Sequence, residues 1–256
     1  IPELISKHGA IPGIKVDKGA KPLAGSNNET ITEGLDGLRE RLKEYYDFGA
    51  RFTKWRAVYN ISNQYPSELA IVANAHSLAR YAALVQEAKM VPIVEPEVLM
   101  DGDHDINKCY EVTSKVLKEC YKQLEFHKIN LKGTVLKPNM ILSGNKSKSK
   151  NGAQEIAKMT IKCLKENVPK EVPGIAFLSG GQTEVEATQN LNEINKINDT
   201  NFLISFSYGR ALQQSALKHW GKNIEDLKNT QKIFNHRSKM NSLSTSAKWS
   251  AEQENI

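Results

Sequence analysis

Short apolar runs alternate with amphipathic segments along nearly the whole chain. Residues 51–58 and 91–98 are rich in β-branched, aromatic and other apolar residues, which is typical of buried strands. Each run precedes a segment with apolar residues at helical spacing. Ser67 is a favourable N-cap for the first of these segments. The pattern predicts strands at 11–17, 51–58, 91–98, 133–139, 173–181 and 202–210, and helices at 32–48, 67–88, 106–127, 153–167, 184–196, 211–220 and 224–241.

Alternating strands and helices predict an α/β fold with a parallel sheet, because parallel neighbours need a crossover connection. A doubly wound sheet would concentrate polar residues near one switch point, whereas a TIM (β/α)8 barrel surrounds its active site with all of its strand ends. We favour the barrel because every predicted strand carries a polar residue near its carboxyl end: Lys15, Lys54, Glu95, Lys137, Ser179 and Ser207.

The predicted strands number about six of the eight that a TIM barrel needs. We therefore expect a single barrel domain over residues 1–256, with two βα units lying upstream of residue 1 and a further C-terminal tail. Residues 18–28, between the first strand and the first helix, are rich in glycine and polar residues and predict a loop.

Composition narrows the classes of function and compartment. The chain is 39% apolar and 25% charged, which excludes a mainly disordered protein, and its net charge of +6 is spread along the sequence. This charge favours a small phosphorylated ligand over nucleic acid. No apolar run approaches the ~20 residues of a membrane span. Cys109, Cys120 and Cys163 form no Cys-x-x-Cys pair, so we expect reduced thiols and a cytoplasmic protein.

Residues 101–105 (DGDHD) have the composition of a metal-binding loop but lack the spacing of a calcium-binding loop, which favours a solvated loop. The other histidines are scattered along the sequence. The sequence therefore indicates no metal mechanism.

Lys137 closes an apolar strand, and two interpretations stay open for it. Its amine could extend from the strand end into solvent, or it could be a Schiff-base nucleophile in a pocket. Glu95 and Glu97 face the same side of one strand, either as an ion-paired core layer or as acid and base groups. If Lys54 lies near Lys137, repulsion would lower the pKa of one amine.

Two consecutive strand ends predict a phosphate site, as barrels build one from the loops after neighbouring strands. Glycines there let backbone N–H groups approach an anion, and an arginine can bind it bidentately. The candidate residues are Ser179, Gly180, Gly181, Ser207, Gly209 and Arg210.

Eight motifs together resemble class I fructose-1,6-bisphosphate aldolase, the metal-independent Schiff-base type. They are 13–19 (GIKVDKG), 32–38 (TEGLDGL), 54–56 (KWR), 91–97 (VPIVEPE), 101–105 (DGDHD), 136–139 (LKPN), 177–182 (FLSGGQ) and 206–212 (FSYGRAL). The resemblance implies a TIM barrel and the reversible cleavage of fructose 1,6-bisphosphate into dihydroxyacetone phosphate and glyceraldehyde 3-phosphate in glycolysis and gluconeogenesis. It implies no metal and no cofactor.

The resemblance also implies a role for each matching residue. Lys137 would form the Schiff base, Glu95 would act as acid and base, Lys54 would be the neighbouring cation, and Glu97 would tune the group. The phosphate-site residues named above would hold the C1 phosphate. Lys15, Asp17 and Arg56 would line the rest of the substrate site, toward the second phosphate.

Family resemblance further implies a cytoplasmic homotetramer with an actin-type protein partner. Two alternatives remain in view. One is a catalytically incomplete aldolase form that acts as a binding or scaffold protein. The other is a different Schiff-base barrel enzyme, such as a transaldolase or a deoxyribose-phosphate aldolase, which the breadth of the motif match disfavours.

Overall fold

Six parallel strands form one sheet in the computed structural model, which describes residues 1–255. Two further strands form a separate small sheet. In chain order the eight strands are β1 (Gly13–Lys15), β2 (Ala20–Pro22), β3 (Thr30–Thr32), β4 (Phe52–Tyr59), β5 (Val91–Val98), β6 (Val135–Leu136), β7 (Gly174–Phe177) and β8 (Leu203–Phe206). The helices are α1 (Pro2–Lys7), α2 (Leu38–Asp47), α3 (Glu68–Glu87), α4 (Ile106–Phe126), α5 (Ala153–Asn167), α6 (Glu184–Lys196), α7 (Arg210–Lys222) and α8 (Leu227–Thr245). No helix among these has both the length and the hydrophobicity needed to cross a membrane.

The strand order in the large sheet is β1-β4-β5-β6-β7-β8, so each strand lies beside the one that precedes it in that sheet. All five pairs are parallel, with helices as the crossovers from β4 onward. This confirms the predicted α/β class and the barrel-type succession of six units. Over residues 1–255 the sheet stays open between β1 and β8.

Strand β4 shows how the two-residue period of a strand separates the core from the site. Thr53, Trp55 and two later alternate residues are buried, and the ring of Trp55 stacks on Tyr81 of α3 with centroids 5.4 Å apart. Lys54 and Arg56 therefore point to the opposite face of the sheet. The functional side chains lie on that face because the core occupies the other.

The register of the sheet aligns the strand ends. Lys15 of β1 pairs with Lys54 of β4, and Arg56 of β4 pairs with Glu95 of β5. On the other side of β5, Lys137 directly follows β6 and donates its backbone N–H to the carbonyl of Val94 at 2.8 Å. The charged residues predicted at separate strand ends consequently meet at one edge.

Two predictions in the first unit were wrong. The predicted loop at 18–28 contains β2, which pairs antiparallel with β3. The following helix begins at Leu38 and not near residue 32. Gly34 and Gly37 have φ values of 127° and 63°, which are incompatible with a right-handed helix. A Cβ at Gly34 would also lie 2.9 Å from the backbone nitrogen of Lys18, so the turn closes against the loop.

Candidate active site at the carboxyl edge of the sheet

The centre of the site is a carboxylate placed between two amines. Glu95 is 3% exposed; its Oε1 lies 3.0 Å from Lys137 Nζ and its Oε2 lies 2.9 Å from Lys54 Nζ. The Lys137 side chain is 12% exposed, so its amine does not extend freely into solvent. The charged group nearest to each of these two amines is the Glu95 carboxylate. Within residues 1–255, Glu95 Oε2 accepts no well-aligned hydrogen bond.

Asp17 forms a second carboxylate centre next to the first. Its Oδ1 lies 2.5 Å from Lys15 Nζ and 3.1 Å from the backbone nitrogen of Gly19. Its Oδ2 accepts from the backbone N–H of Arg56 at 3.2 Å and lies 3.8 Å from Lys54 Nζ. An anionic substrate gains nothing from direct contact with this buried carboxylate. Asp17 is better suited to orienting the two lysines.

Glu97 pairs with Arg56 and not with Lys54. The Arg56 Nε donates to Glu97 Oε2. Burial disfavours the charged guanidinium, but the hydrogen bond and the charge of Glu97 outweigh burial, so the pKa of Arg56 lies above its usual value. Because 43% of the Arg56 side chain stays exposed, the guanidinium can still face an anion at the mouth of the site.

The glycine-rich segment after β7 forms a tight turn at the carboxyl edge of the sheet. Ser179 is buried, and Gly180 and Gly181 have φ values of 54° and 83°. At Gly180 an added Cβ would lie 3.2 Å from a Leu178 methyl group. Residues other than glycine would therefore disturb this turn.

The segment after β8 lies beside that turn. Ser207 donates its backbone N–H to the carbonyl of Phe177 at 2.9 Å, which ties the end of β8 to the end of β7. Helix α7 then begins at Arg210, and its N-cap, Gly209, provides no side-chain cap. The backbone N–H groups of Arg210 and Ala211 thus have no acceptor within the helix and could face an anion, with the exposed Arg210 side chain next to them.

The acidic segment 101–105 forms the connection between β5 and α4. Asp105 caps α4 by accepting from the backbone N–H of Lys108 at 2.8 Å. His104 lies beside the connection between β6 and α5, where the backbone N–H of Gly144 donates to the His104 carbonyl at 2.9 Å. In residues 1–255, no three histidine, cysteine or acidic side chains cluster closely enough to hold a metal ion. Asp105 therefore serves as a helix cap, consistent with a loop.

Asn139, the last residue of the LKPN motif, has a structural role that the sequence pattern did not predict. This residue is 7% exposed and bonds to both β5 and α4. The two prolines at 96 and 138 could have pointed to this role, because each removes a backbone hydrogen-bond donor beside the site.

A parallel α/β sheet with a largely buried lysine beside a buried carboxylate at its carboxyl edge is the arrangement in which barrel enzymes carry their active sites. Comparison with known proteins specifies the family. The family model described as "Fructose-bisphosphate aldolase class-I" matches residues 1–256. The chain therefore belongs to the class I fructose-bisphosphate aldolase family, the lyases that cleave fructose 1,6-bisphosphate in glycolysis.

Individual relatives agree with the family model. The chain is 53% identical over 246 residues to "Probable fructose-bisphosphate aldolase class 1" of Xanthomonas campestris pv. campestris, covering 96% of this chain and 74% of the relative. It is 55% identical over 244 residues to "Fructose-bisphosphate aldolase 4, cytosolic" of Arabidopsis thaliana, covering 95% of this chain and 62% of that protein.

A solved structure shows the same fold. The fructose-bisphosphate aldolase of Plasmodium falciparum, crystallised in complex with TRAP and a small-molecule inhibitor, superposes with a TM-score of 0.95 at 44% identity. The match covers 97% of this chain and 72% of that one.

Proposed function

We propose that Lys137 is the Schiff-base nucleophile with which this chain cleaves fructose 1,6-bisphosphate. The observation that carries the proposal is the contact of 3.0 Å between the Lys137 amine and the Glu95 carboxylate, both largely buried at the sheet edge. The amine attacks the C2 ketone to give a carbinolamine. Glu95 takes up the proton that Lys137 loses on becoming nucleophilic and returns it to the C2 hydroxyl, which leaves as water so that an iminium remains.

The iminium accepts the electron pair of the C3–C4 bond. As that bond breaks, the C4 hydroxyl passes its proton to the Glu95 carboxylate and becomes the aldehyde of glyceraldehyde 3-phosphate, while the C1–C3 fragment stays on Lys137 as an enamine with a C2–C3 double bond. Protonation of the enamine at C3 and addition of water at C2 release dihydroxyacetone phosphate and restore the amine. Each carbon–nitrogen step needs a proton shuttle, and Glu95, whose Oε1 lies 3.0 Å from Lys137 Nζ, can accept and return that proton.

Lys54 lies 2.9 Å from Glu95 Oε2 and orients this carboxylate beside the nucleophile. Glu97 acts through Arg56, which it orients. We assign the C1 phosphate to the cradle of Ser179, Gly180, Gly181, Ser207, Gly209 and Arg210. Lys15 and Arg56 face the second phosphate, and Asp17 orients Lys15 and Lys54.

The proposed chemistry uses no metal and no organic cofactor, because the lysine iminium itself is the electron sink. We expect cleavage to persist after exhaustive dialysis against EDTA. A loss of activity that Zn²⁺ or Mg²⁺ restored would contradict this part of the proposal.

We also propose a cytoplasmic homo-oligomer, a tetramer by family resemblance, with an actin-type protein as a further partner. Light scattering of the purified protein tests the tetramer, and a monomer at micromolar concentration would exclude it. Cosedimentation with filamentous actin, with and without saturating substrate, tests the partner.

Borohydride trapping tests the central assignment. The protein is incubated with dihydroxyacetone phosphate and reduced, and the adduct is located by mass spectrometry. We expect one stoichiometric adduct on Lys137 and none in Lys137→Met. The exposed Lys132, just before β6, provides the matched control, because Lys132→Met should label as fully as the unmodified protein. An adduct at another lysine would overturn the assignment, and no adduct together with actin binding would favour the scaffold function.

A further inference from the structure

The hydrogen-bond ladder between β5 and β6 breaks beside the nucleophile. In the parallel register Val94 lies opposite Leu136, and Lys137 donates to the Val94 carbonyl. The next rung of a parallel ladder would run from the nitrogen of residue 96 to the carbonyl of Lys137. Residue 96 is proline and has no N–H. Backbone hydrogen bonding between β5 and β6 therefore stops at Lys137, the proposed nucleophile, whose position matters most for the reaction.

The side chain of Asn139 takes the place of the missing backbone contact. The backbone N–H of Val98, one residue after Glu97, donates to Asn139 Oδ1 at 3.1 Å. On its other side, Asn139 Nδ2 donates to Thr113 Oγ1 of α4 at 3.1 Å and to the Met140 carbonyl at 3.1 Å. The orientation of the amide follows from its partners, because the Val98 N–H needs an acceptor and the Met140 carbonyl needs a donor.

The same short segment also reaches the anion cradle. The carbonyl of Pro138, between Lys137 and Asn139, accepts from the backbone N–H of Leu178 at 3.1 Å. Leu178 directly precedes Ser179. The segment 137–139 thus links the strand of the acid–base group on one side to the cradle on the other.

We infer that Asn139 is a positioning residue for the Schiff-base reaction, because it fixes the end of β5, and hence Glu95, relative to Lys137. This inference rests on the proposed function of Lys137 and Glu95. Asn139 is buried among protein partners, and it acts through the backbone of β5 rather than on substrate. A displacement of about 1 Å between reacting groups can reduce a rate about 100-fold.

The test compares Asn139→Ala with Asn167→Ala. Asn167 is equally buried and also donates through Nδ2 to two protein acceptors, but it lies at the C-terminal end of α5, away from the strand ends. We expect the rate of borohydride trapping and kcat for cleavage to fall about 10- to 100-fold in Asn139→Ala, with KM changed less than about twofold. Asn167→Ala should lower the melting temperature to a similar extent without this loss of rate.

Hydrogen exchange of the Val98 amide provides a measurement that does not need catalysis. We expect this amide to exchange at least about tenfold faster in Asn139→Ala than in the unmodified protein or in Asn167→Ala. If Asn139→Ala does not fold, Thr113→Val removes one acceptor of the Asn139 amide group and should give a smaller change in the same direction.

The outcomes separate the two proposals. Faster Val98 exchange with an unchanged trapping rate would overturn the positioning role, and unchanged Val98 exchange in a folded variant would overturn the contact itself. If the unmodified protein formed no Lys137 adduct, the proposed function and the catalytic part of this inference would both fall. Val98 exchange would then still decide whether Asn139 joins the two strand ends.

Discussion

Glu95 and Lys137 lie on adjacent parallel strands at the same level of the sheet, with Glu95 Oε1 3.0 Å from Lys137 Nζ. The pairing of Val94 with Leu136 places the next residue of each strand side by side, so the contact follows from register and not from a flexible loop. Lys137 shares the Glu95 carboxylate with Lys54, and this shared contact holds Lys137 within the site.

Replacing Glu95 with glutamine should separate the charge of the side chain from its size. Glu95→Gln keeps the volume and can still accept a hydrogen bond, but it cannot shuttle a proton. We expect the rate of Lys137 adduct formation to fall about 100-fold or more, as is typical of losing a general acid–base group. Stopped-time borohydride trapping measures this rate.

The matched control for that experiment is Glu87→Gln on the outer surface of α3. Glu87 pairs with Arg39, and both side chains are more than half exposed. This variant should trap substrate at the unmodified rate. An equal loss in both variants, or no loss in Glu95→Gln, would remove Glu95 from the mechanism.

Arg210 should contribute to binding and not to chemistry. We expect Arg210→Ala to raise KM about 10- to 100-fold with little change in kcat, because a charge-assisted hydrogen bond contributes about 1.5–3 kcal/mol. Arg210→Lys should recover only part of the affinity, since an ammonium cannot bind phosphate bidentately. Lys218→Ala, an exposed cation on the same helix, is the control, and steady-state kinetics measure all three. A fall in kcat at constant KM in Arg210→Ala would contradict the assignment.

His104 should make the stability of the fold sensitive to acid. Burial lowers the pKa of His104 below its usual value of 6.5, although Asp103 and Asp105 oppose this shift. The unfolded chain then binds a proton more readily than the folded chain, so the folded state loses stability as pH falls below about 6.5. Urea unfolding at pH 7.5 and 5.5 should show a smaller loss for His104→Asn than for the unmodified protein.

The exposed His8 gives the control for that measurement. His8→Asn should lose as much stability between the two pH values as the unmodified protein does. If His104→Asn showed the same loss too, the acid sensitivity would arise elsewhere in the fold.

The long elements were predictable because their patterns are redundant. Strand β5 has the predicted bounds, and α4 ends one residue before the prediction. Each of these elements has many apolar residues at the spacing of its own secondary structure, so one atypical residue does not change the prediction. The hairpin of β2 and β3 escaped prediction because each strand has only three residues and β2 is exposed throughout. Strands this short leave no alternation of apolar and polar residues in the sequence.

Within the site, residue types were predictable but partnerships were not. The resemblance implied that Glu97 tunes the amine pair; in the structure its partner is Arg56, because Glu97 lies two residues beyond the level of Lys137 and four beyond that of Lys54. Asp17 was assigned to substrate through its motif, whereas its oxygens already meet four protein donors or cations. The pattern of residues along one strand predicts which face of the sheet a side chain lies on. The residues that this side chain contacts depend on the register between strands, which the pattern does not give.

The succession of strand pairs has a consequence for how the protein opens. Strand β5, which carries Glu95, pairs with β4 along its whole length and with β6 on its other side. Amides of strands paired on both sides exchange more slowly than amides of loops. The loops that follow β7 and β8 can therefore open locally while the strand that carries the acid–base carboxylate stays folded.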